Sequence, residues 1–292
     1  MKIEEFKKEV YTLAKNNANE LQVIEDFMLN FYKTKPLPVA TLSPDFLIRC
    51  SKNESGEVFR NVSRCSYNPN PKKIFLQRCN YPEQQVFYAS VPSESKYINN
   101  VGSAIMEVMA EQIKQNDNSR SYLTLSRWKL KRKINVYIFP FGINVEERNI
   151  SLHFASQNFE NIINSLFESQ YDDAKVYFLD SLKFISECLS EMENKEMNYR
   201  ITSAFFNSMM KLAVQRNIKL EGMVYPSANT LAAGTNVVLD KELIDDKMVF
   251  CDQIVMYAMR PNPADFKSIN FVDVSDSVTP DQNGDFRFKY IT

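Results

Sequence analysis

The chain has 292 residues, 44% of them hydrophobic, and its 35 Lys and Arg nearly cancel its 36 Asp and Glu to leave a net charge of -1. That length and apolar content suffice for a large core, which excludes a disordered chain and favours one elaborated domain or two small ones. The near-zero charge gives no reason to expect a nucleic-acid or acidic-membrane partner, so any bound anion must be met by locally placed cations.

In chain order, Met1-Lys2-Ile3-Glu4-Glu5 carries acids at once and lacks the apolar core of a signal peptide. No apolar run reaches the roughly 18 to 20 residues of a membrane span, and a cytoplasmic, soluble chain is expected. Ile3, Phe6, Val10 and Leu13, then Leu21, Ile24, Phe27, Met28 and Phe31, recur at helical spacing and predict two helices joined near Asn16-Asn17. Lys35-Pro36-Leu37-Pro38 ends them, because proline lacks an amide hydrogen and disfavours a helical residue before it. Residues 1–40 thus read as a helical N-terminal extension, and residues 41–292 as the remaining domain.

From Asp45 to Ser90 short apolar runs alternate with Pro, Asn and Gly; Phe46-Leu47-Ile48 and Val86-Phe87-Tyr88 read as strands, with a loop over Tyr67-Asn68-Pro69-Asn70-Pro71. Val101, Ala104, Ile105, Val108 and Met109 mark an amphipathic helix to about Gln115, with Glu107 beside its apolar stripe. Tyr122 to Leu130 and Ile134 to Phe139 read as two strands split by Lys131-Arg132-Lys133, which predicts a hairpin with a solvated basic turn. Phe159 to Leu189 and Ile201 to Asn217 are helical, and their Met and Phe content reads as core. They form a helical insertion at about 156–217. Leu220 to Tyr225, Thr235 to Leu239 and Val249 to Met259 return to strand character, so the fold class is mixed α+β.

Five cysteines, Cys50, Cys65, Cys79, Cys188 and Cys251, form no Cys-x-x-Cys pair and are expected as reduced thiols. His153 is the only histidine, which leaves no His-rich metal site, and it reads as structural; no metal is expected. A Walker loop and a Gly-x-Gly-x-x-Gly turn are both absent from the sequence.

Six short strings in order are more specific than any of these features. They are Ile48-Arg49, Tyr67-Asn68-Pro69, Gln77-Arg78-Cys79-Asn80, Phe87-Tyr88-Ala89-Ser90, Ala104-Ile105-Met106-Glu107 and Gly222-Met223-Val224-Tyr225-Pro226-Ser227. In this order they resemble the RES-domain family, named for an arginine, a glutamate and a serine. The resemblance spans roughly Arg49 to Leu239 and does not reach the terminal helices. One departure is Gln77, where the family usually has glycine.

The resemblance implies an ADP-ribosyltransferase-like fold and an NAD+-consuming activity, usually phosphorolysis or hydrolysis, of the kind found in bacterial toxins neutralised by a partner antitoxin. NAD+ would be the substrate and inorganic phosphate a co-substrate. Carried over, Arg49, Glu107 and Ser227 are the catalytic candidates, and Arg78, Tyr88, Tyr67, Asn80 and Tyr225 the ligand-binding ones. Read without the family, two arginines near strand ends offer donor forks suited to phosphate, and a carboxylate beside a sugar stabilises positive charge as a neutral base departs. Each residue also has a plain reading, as a surface ion pair, a strand aromatic or a turn serine. Two other functions stay open: transfer of ADP-ribose to a macromolecule, and an inactive interaction protein of the same fold.

Overall fold

A computed structural model of the chain describes residues 2–16, 20–95, 97–115, 117, 119–142, 144–167, 172–191, 193–262 and 265–290. The apolar spacing near the N-terminus produces helices α1 (Ile3–Asn16) and α2 (Leu21–Tyr32). Asn17, in their expected joint, lies outside the described residues. The helix expected over Phe159–Leu189 falls on two helices, α5 (Ile150–Leu166) and α6 (Asp172–Ser190), after a one-turn α4 (Val145–Arg148). Residues 168–171 of that expected helix also lie outside the described residues. Helix α7 (Lys195–Gln215) covers the second expected span, helix α3 (Asn100–Lys114) matches the Val101 stripe, and a short α8 (Glu242–Asp245) follows late in the chain. No helix among the described residues is long and apolar enough to cross a membrane.

The strands are β1 (Val39–Leu42), β2 (Leu47–Asn53), β3 (Val86–Val91), β4 (Ser121–Leu130), β5 (Ile134–Ile138), β6 (Gly222–Pro226), β7 (Thr235–Asp240), β8 (Val249–Asn262) and β9 (Asp265–Asp273). They form one sheet in the order β1-β5-β6-β7-β3-β2-β4-β8-β9. Its pairs are antiparallel except β5 with β6. The class is mixed α+β.

The expected β4–β5 hairpin does not form. Strand β4 pairs with β2 and β8, β5 pairs with β1 and β6, and the two stand five places apart in the sheet. Five strand spacings in a flat sheet are about 24 Å, while the short link from Leu130 to Ile134 reaches at most about 15 Å. The sheet is therefore sharply bent between them. Within that stretch the pairing is shortest where β2 meets β3, whose register holds the single pair Ile48 with Ser90.

The basic link is not simply solvated. Lys131 N donates to Met248 O at 2.9 Å, and Arg132 makes a two-pronged contact with the buried Glu221 at 2.5 and 3.0 Å. Tertiary anchoring of the link, rather than hairpin pairing, places the two strands.

Glu221 also accepts from the Asn135 amide at 3.0 Å and faces Lys219. Burial alone would raise its carboxyl, but the Arg132 fork, that amide and Lys219 hold it down at about 2. A carboxylate depressed by folding adds stability above its unfolded value of about 4.3 and loses it as pH falls through the folded one. The melting temperature should therefore decline between about pH 5 and pH 2, and Glu221→Gln should flatten that limb. Parallel thermal melts of both proteins check this; an identical acid limb in the variant would remove Glu221 as its source.

Period-two alternation sorts the strand side chains into two faces. On one face Val86 and Tyr88, Tyr137, Met223, Tyr225 and Val238 pack under Phe6, Met28, Phe178, Ile185, Phe205 and Leu212 of α1, α2, α6 and α7. The N-terminal helices and the central helices thus share one core. On the same sheet face, Ile48 and Cys50 of β2 and Leu123 and Leu125 of β4 receive Ala104, Ile105 and Met109 of α3. On the other face Leu47, Phe87, Trp128, Val136, Val237 and Leu239 fill the inside of the bend, closed by Leu243 and Phe286. Strands buried on both sides read as near-continuous apolar runs, as in Val237-Val238-Leu239.

Candidate functional site

Between α3 and the helical lobe, above the bend, lies a cavity of about 510 Å3, within the ~300–1,000 Å3 of ordinary ligand pockets. Helix α3 enters it because Asn99 caps the helix, accepting from Gly102 N at 2.8 Å, and because its apolar stripe lies on β2 and β4. That orientation leaves Glu107 facing the turn between β6 and β7.

Three neutral donors meet the Glu107 carboxylate there. Ser227 Oγ donates to Oε1 at 2.5 Å, Asn236 Nδ2 donates to Oε1 at 2.7 Å, and Asn229 Nδ2 donates to Oε2 at 2.7 Å. Asn236 in turn accepts from Ser90 Oγ at 3.2 Å, its cross-strand partner on β3. The carboxylate is thus held in one orientation by groups that donate without neutralising it.

Arg78 Nη1 stands 4.0 Å from Glu107 Oε2. Its Nε donates to Leu189 O of α6 at 3.0 Å and its guanidinium lies over the Tyr199 ring of α7, 5.4 Å from the centroid. Burial lowers the Arg78 pKa, but Glu107, with smaller contributions from Tyr199, Tyr225 and Cys79, together outweighs it and the net direction is upward. A charged guanidinium in the cavity wall therefore depends on the helical lobe for its position and on Glu107 for its charge balance.

Arg49 reaches the cavity differently. Alternation along β2 puts it on the face of Leu47, opposite Glu107, and its guanidinium enters the opening between β2 and β3. There Nη1 donates to Tyr88 O at 2.6 Å and the group lies 5.6 Å from the Phe87 ring centroid. Its Nε is buried with no hydrogen-bond partner, and among the described residues it makes no ion pair. Burial pushes its pKa down, yet arginine keeps its charge at neutral pH.

Tyr88 lines the cavity with its ring. Its hydroxyl is engaged, donating to Asn80 Oδ1 at 2.9 Å and accepting from Cys79 N at 3.0 Å. Burial raises its pKa well above the ordinary tyrosine value, so that hydroxyl is no proton shuttle. Asn80 stands behind the wall and supports Tyr88 rather than touching the cavity. Tyr225 lines the cavity and is buried, which also raises its pKa well above the ordinary value.

Tyr67 is not brought into the site. Its hydroxyl donates to Asp245 at 2.5 Å beyond the end of β7, and it is outside the cavity lining. The only histidine, His153, lies on α5 with Nε2 3.0 Å from Gln157 Nε2. All five cysteines are free, and the described residues contain no cluster of His, Cys, Asp and Glu that could hold a metal.

Sequence reasoning missed Asn229, Asn236, Lys195 and Tyr199. Asn229, two residues after Ser227, lay within reach of the Tyr-Pro-Ser string. Asn236 sits on the cavity face of β7 because Val238 does, a parity visible only once the register is known. Lys195 and Tyr199 are one turn apart on α7 and line the cavity; nothing local distinguishes them from other helix residues.

The turn carrying Ser227 and Asn229 is shaped by backbone that glycine would ordinarily occupy. Leu231 and Ala232 hold φ of 52° and 66°, a conformation costly to residues with a Cβ. The buried Asn149 restrains it, donating to Ala232 O at 3.2 Å, Ala233 O at 3.3 Å and Thr235 Oγ1 at 2.9 Å. At Gly234 a Cβ would fall 2.1 Å from Ser103 Oγ and 2.7 Å from Ser103 Cβ on α3. Gly234→Ala should therefore push the turn off α3, destabilising the fold by about 1–3 kcal/mol and weakening ligand binding in the same cavity. Thermal melts and calorimetry check it; unchanged stability would mean that the turn and α3 are not in register as described.

The chain matches no protein-family model, and a search of curated proteins likewise finds none that it matches.

Proposed function

We propose that this protein consumes NAD+, breaking the bond between nicotinamide and ribose and passing ADP-ribose to inorganic phosphate or water, on an ADP-ribosyltransferase-like fold similar to that of RES-domain proteins. The observation that carries this reading is the meeting of a fixed carboxylate, two guanidinium groups and aromatic rings around one cavity, from segments distant in sequence.

In this reading the pyridinium nitrogen takes the electron pair of the breaking C–N bond and leaves as neutral nicotinamide, so no strong general acid is needed. Positive charge develops on the ribose. The Glu107 carboxylate, aimed by Ser227, Asn229 and Asn236, stabilises that charge and orients the ribose hydroxyls. An attacking water releases one proton to solvent as its oxygen bonds the ribose carbon; an ionised phosphate oxygen attacks directly. Arg78 and Arg49 meet the pyrophosphate, and the Tyr88 ring offers its face to the base. A toxin role implies a partner antitoxin that occludes the cavity.

The test is incubation of the purified protein with NAD+, with and without phosphate, following nicotinamide by chromatography. Release that accelerates with phosphate supports phosphorolysis, and release indifferent to it supports hydrolysis. Label from NAD+ appearing on a macromolecule would redirect the reading to ADP-ribosyl transfer. No release together with no NAD+ binding in calorimetry would leave an interaction protein.

A further inference from the structure

Phe75 is 75% exposed, yet it lines the cavity at its outer edge. Its backbone is pinned: Asn80 Nδ2 donates to Phe75 O at 2.9 Å, Ile74 N to Pro71 O at 2.9 Å, and Glu83 N to Ile74 O at 3.1 Å. The same Asn80 accepts the Tyr88 hydroxyl. One buried amide therefore ties the Tyr88 hydroxyl to the Phe75 backbone, which sets where the Phe75 side chain leaves the chain.

Leaving a phenylalanine ring in water forgoes the burial that most such rings obtain, and among the described residues no other ring packs on this one. Arg49, Arg78 and Lys195 line the same cavity. Aromatic faces and cations sharing one cavity suit a ligand with a flat base at each end and phosphates between. We propose that the Phe75 ring is a stacking platform for the second base of a dinucleotide, a purine of the adenine type held at the cavity mouth. The proposal rests on the NAD+ reading above and deepens it. Tyr88 then serves the departing base, and Phe75 the base that stays.

The experiment compares NAD+ with nicotinamide mononucleotide, which keeps the scissile bond and lacks the adenosine half. Phe75→Ala should raise KM for NAD+ about tenfold and leave kcat nearly unchanged, as expected when uniform binding is lost. KM for the mononucleotide should stay the same, and Phe75→Trp should restore the NAD+ value. Equal effects on both substrates, or none on NAD+, would overturn the platform. Should the wild type cleave neither compound, the NAD+ reading fails on its own, and the platform is decided by fluorescence of Phe75→Trp. Saturable quenching by ADP-ribose but not by ribose 5-phosphate supports it, and no difference between the two overturns it. A protein that co-purifies with the wild type and is lost from Phe75→Ala would also overturn it, making the ring a protein contact.

Discussion

Replacing Glu107 by glutamine is expected to lower nicotinamide release by about a hundredfold to a thousandfold while changing NAD+ affinity far less. Glutamine keeps the shape and removes the charge. The ribose carries little charge in the ground state and most of it in the transition state, so the loss belongs in kcat rather than in binding. The surroundings amplify the effect: Ser227 and Asn236 donate to one oxygen of Glu107 and Asn229 to the other, and the amide NH2 that replaces one of those oxygens cannot accept from the donors on its side. The Arg78 cation also loses its anion at 4.0 Å, so some loss of thermal stability should accompany the kinetic one. Single-turnover rates measured with calorimetric affinities separate the two. A variant with wild-type kcat would show that Glu107 is only a structural carboxylate.

Truncating Phe205 to alanine should cost about 3–5 kcal/mol. Phe205 is fully buried on α7, with ring centroids 5.4 Å from Tyr32, 6.0 Å from Tyr137 and 5.5 Å from Phe139. It joins an N-terminal helix, the central helices and the edge half of the sheet in one contact, and neighbours so constrained collapse poorly into a cavity. The consequence extends to the site, because α7 also presents Tyr199 beneath Arg78. Urea unfolding monitored by circular dichroism gives the magnitude. A cost below about 1 kcal/mol would mean that the helical lobe is not fastened to the sheet through this ring.

Much of the helical structure was legible in the residues. The spacing of Phe6, Val10, Ile24 and Met28 encodes two helices because an amphipathic stripe needs only local periodicity, and Lys35-Pro36-Leu37-Pro38 stops them for a steric reason confined to its own backbone. The β4–β5 hairpin was misread for the complementary reason. Tyr122 to Leu130 and Ile134 to Phe139 have the local pattern of paired strands, but pairing is a tertiary choice, made here by Glu221 gripping Arg132 and by β2 and β8 flanking β4. The site divides in the same way. The strings around Arg78, Tyr88, Glu107 and Ser227 drew notice as sequence, while Tyr67 belonged to the same series and points to Asp245 instead.

By itself the sequence determined the class of fold, the stop after the N-terminal helices, the free thiols and five of the polar residues that line the cavity, Arg49, Arg78, Tyr88, Glu107 and Tyr225, since these depend on residue type and near-neighbour spacing. Only the tertiary structure decided that the sheet bends between β4 and β5, that Arg49 enters from the far face, and that Asn229 and Asn236 complete the seat of Glu107. Those outcomes depend on strand register, and a shift of one residue moves every side chain to the opposite face.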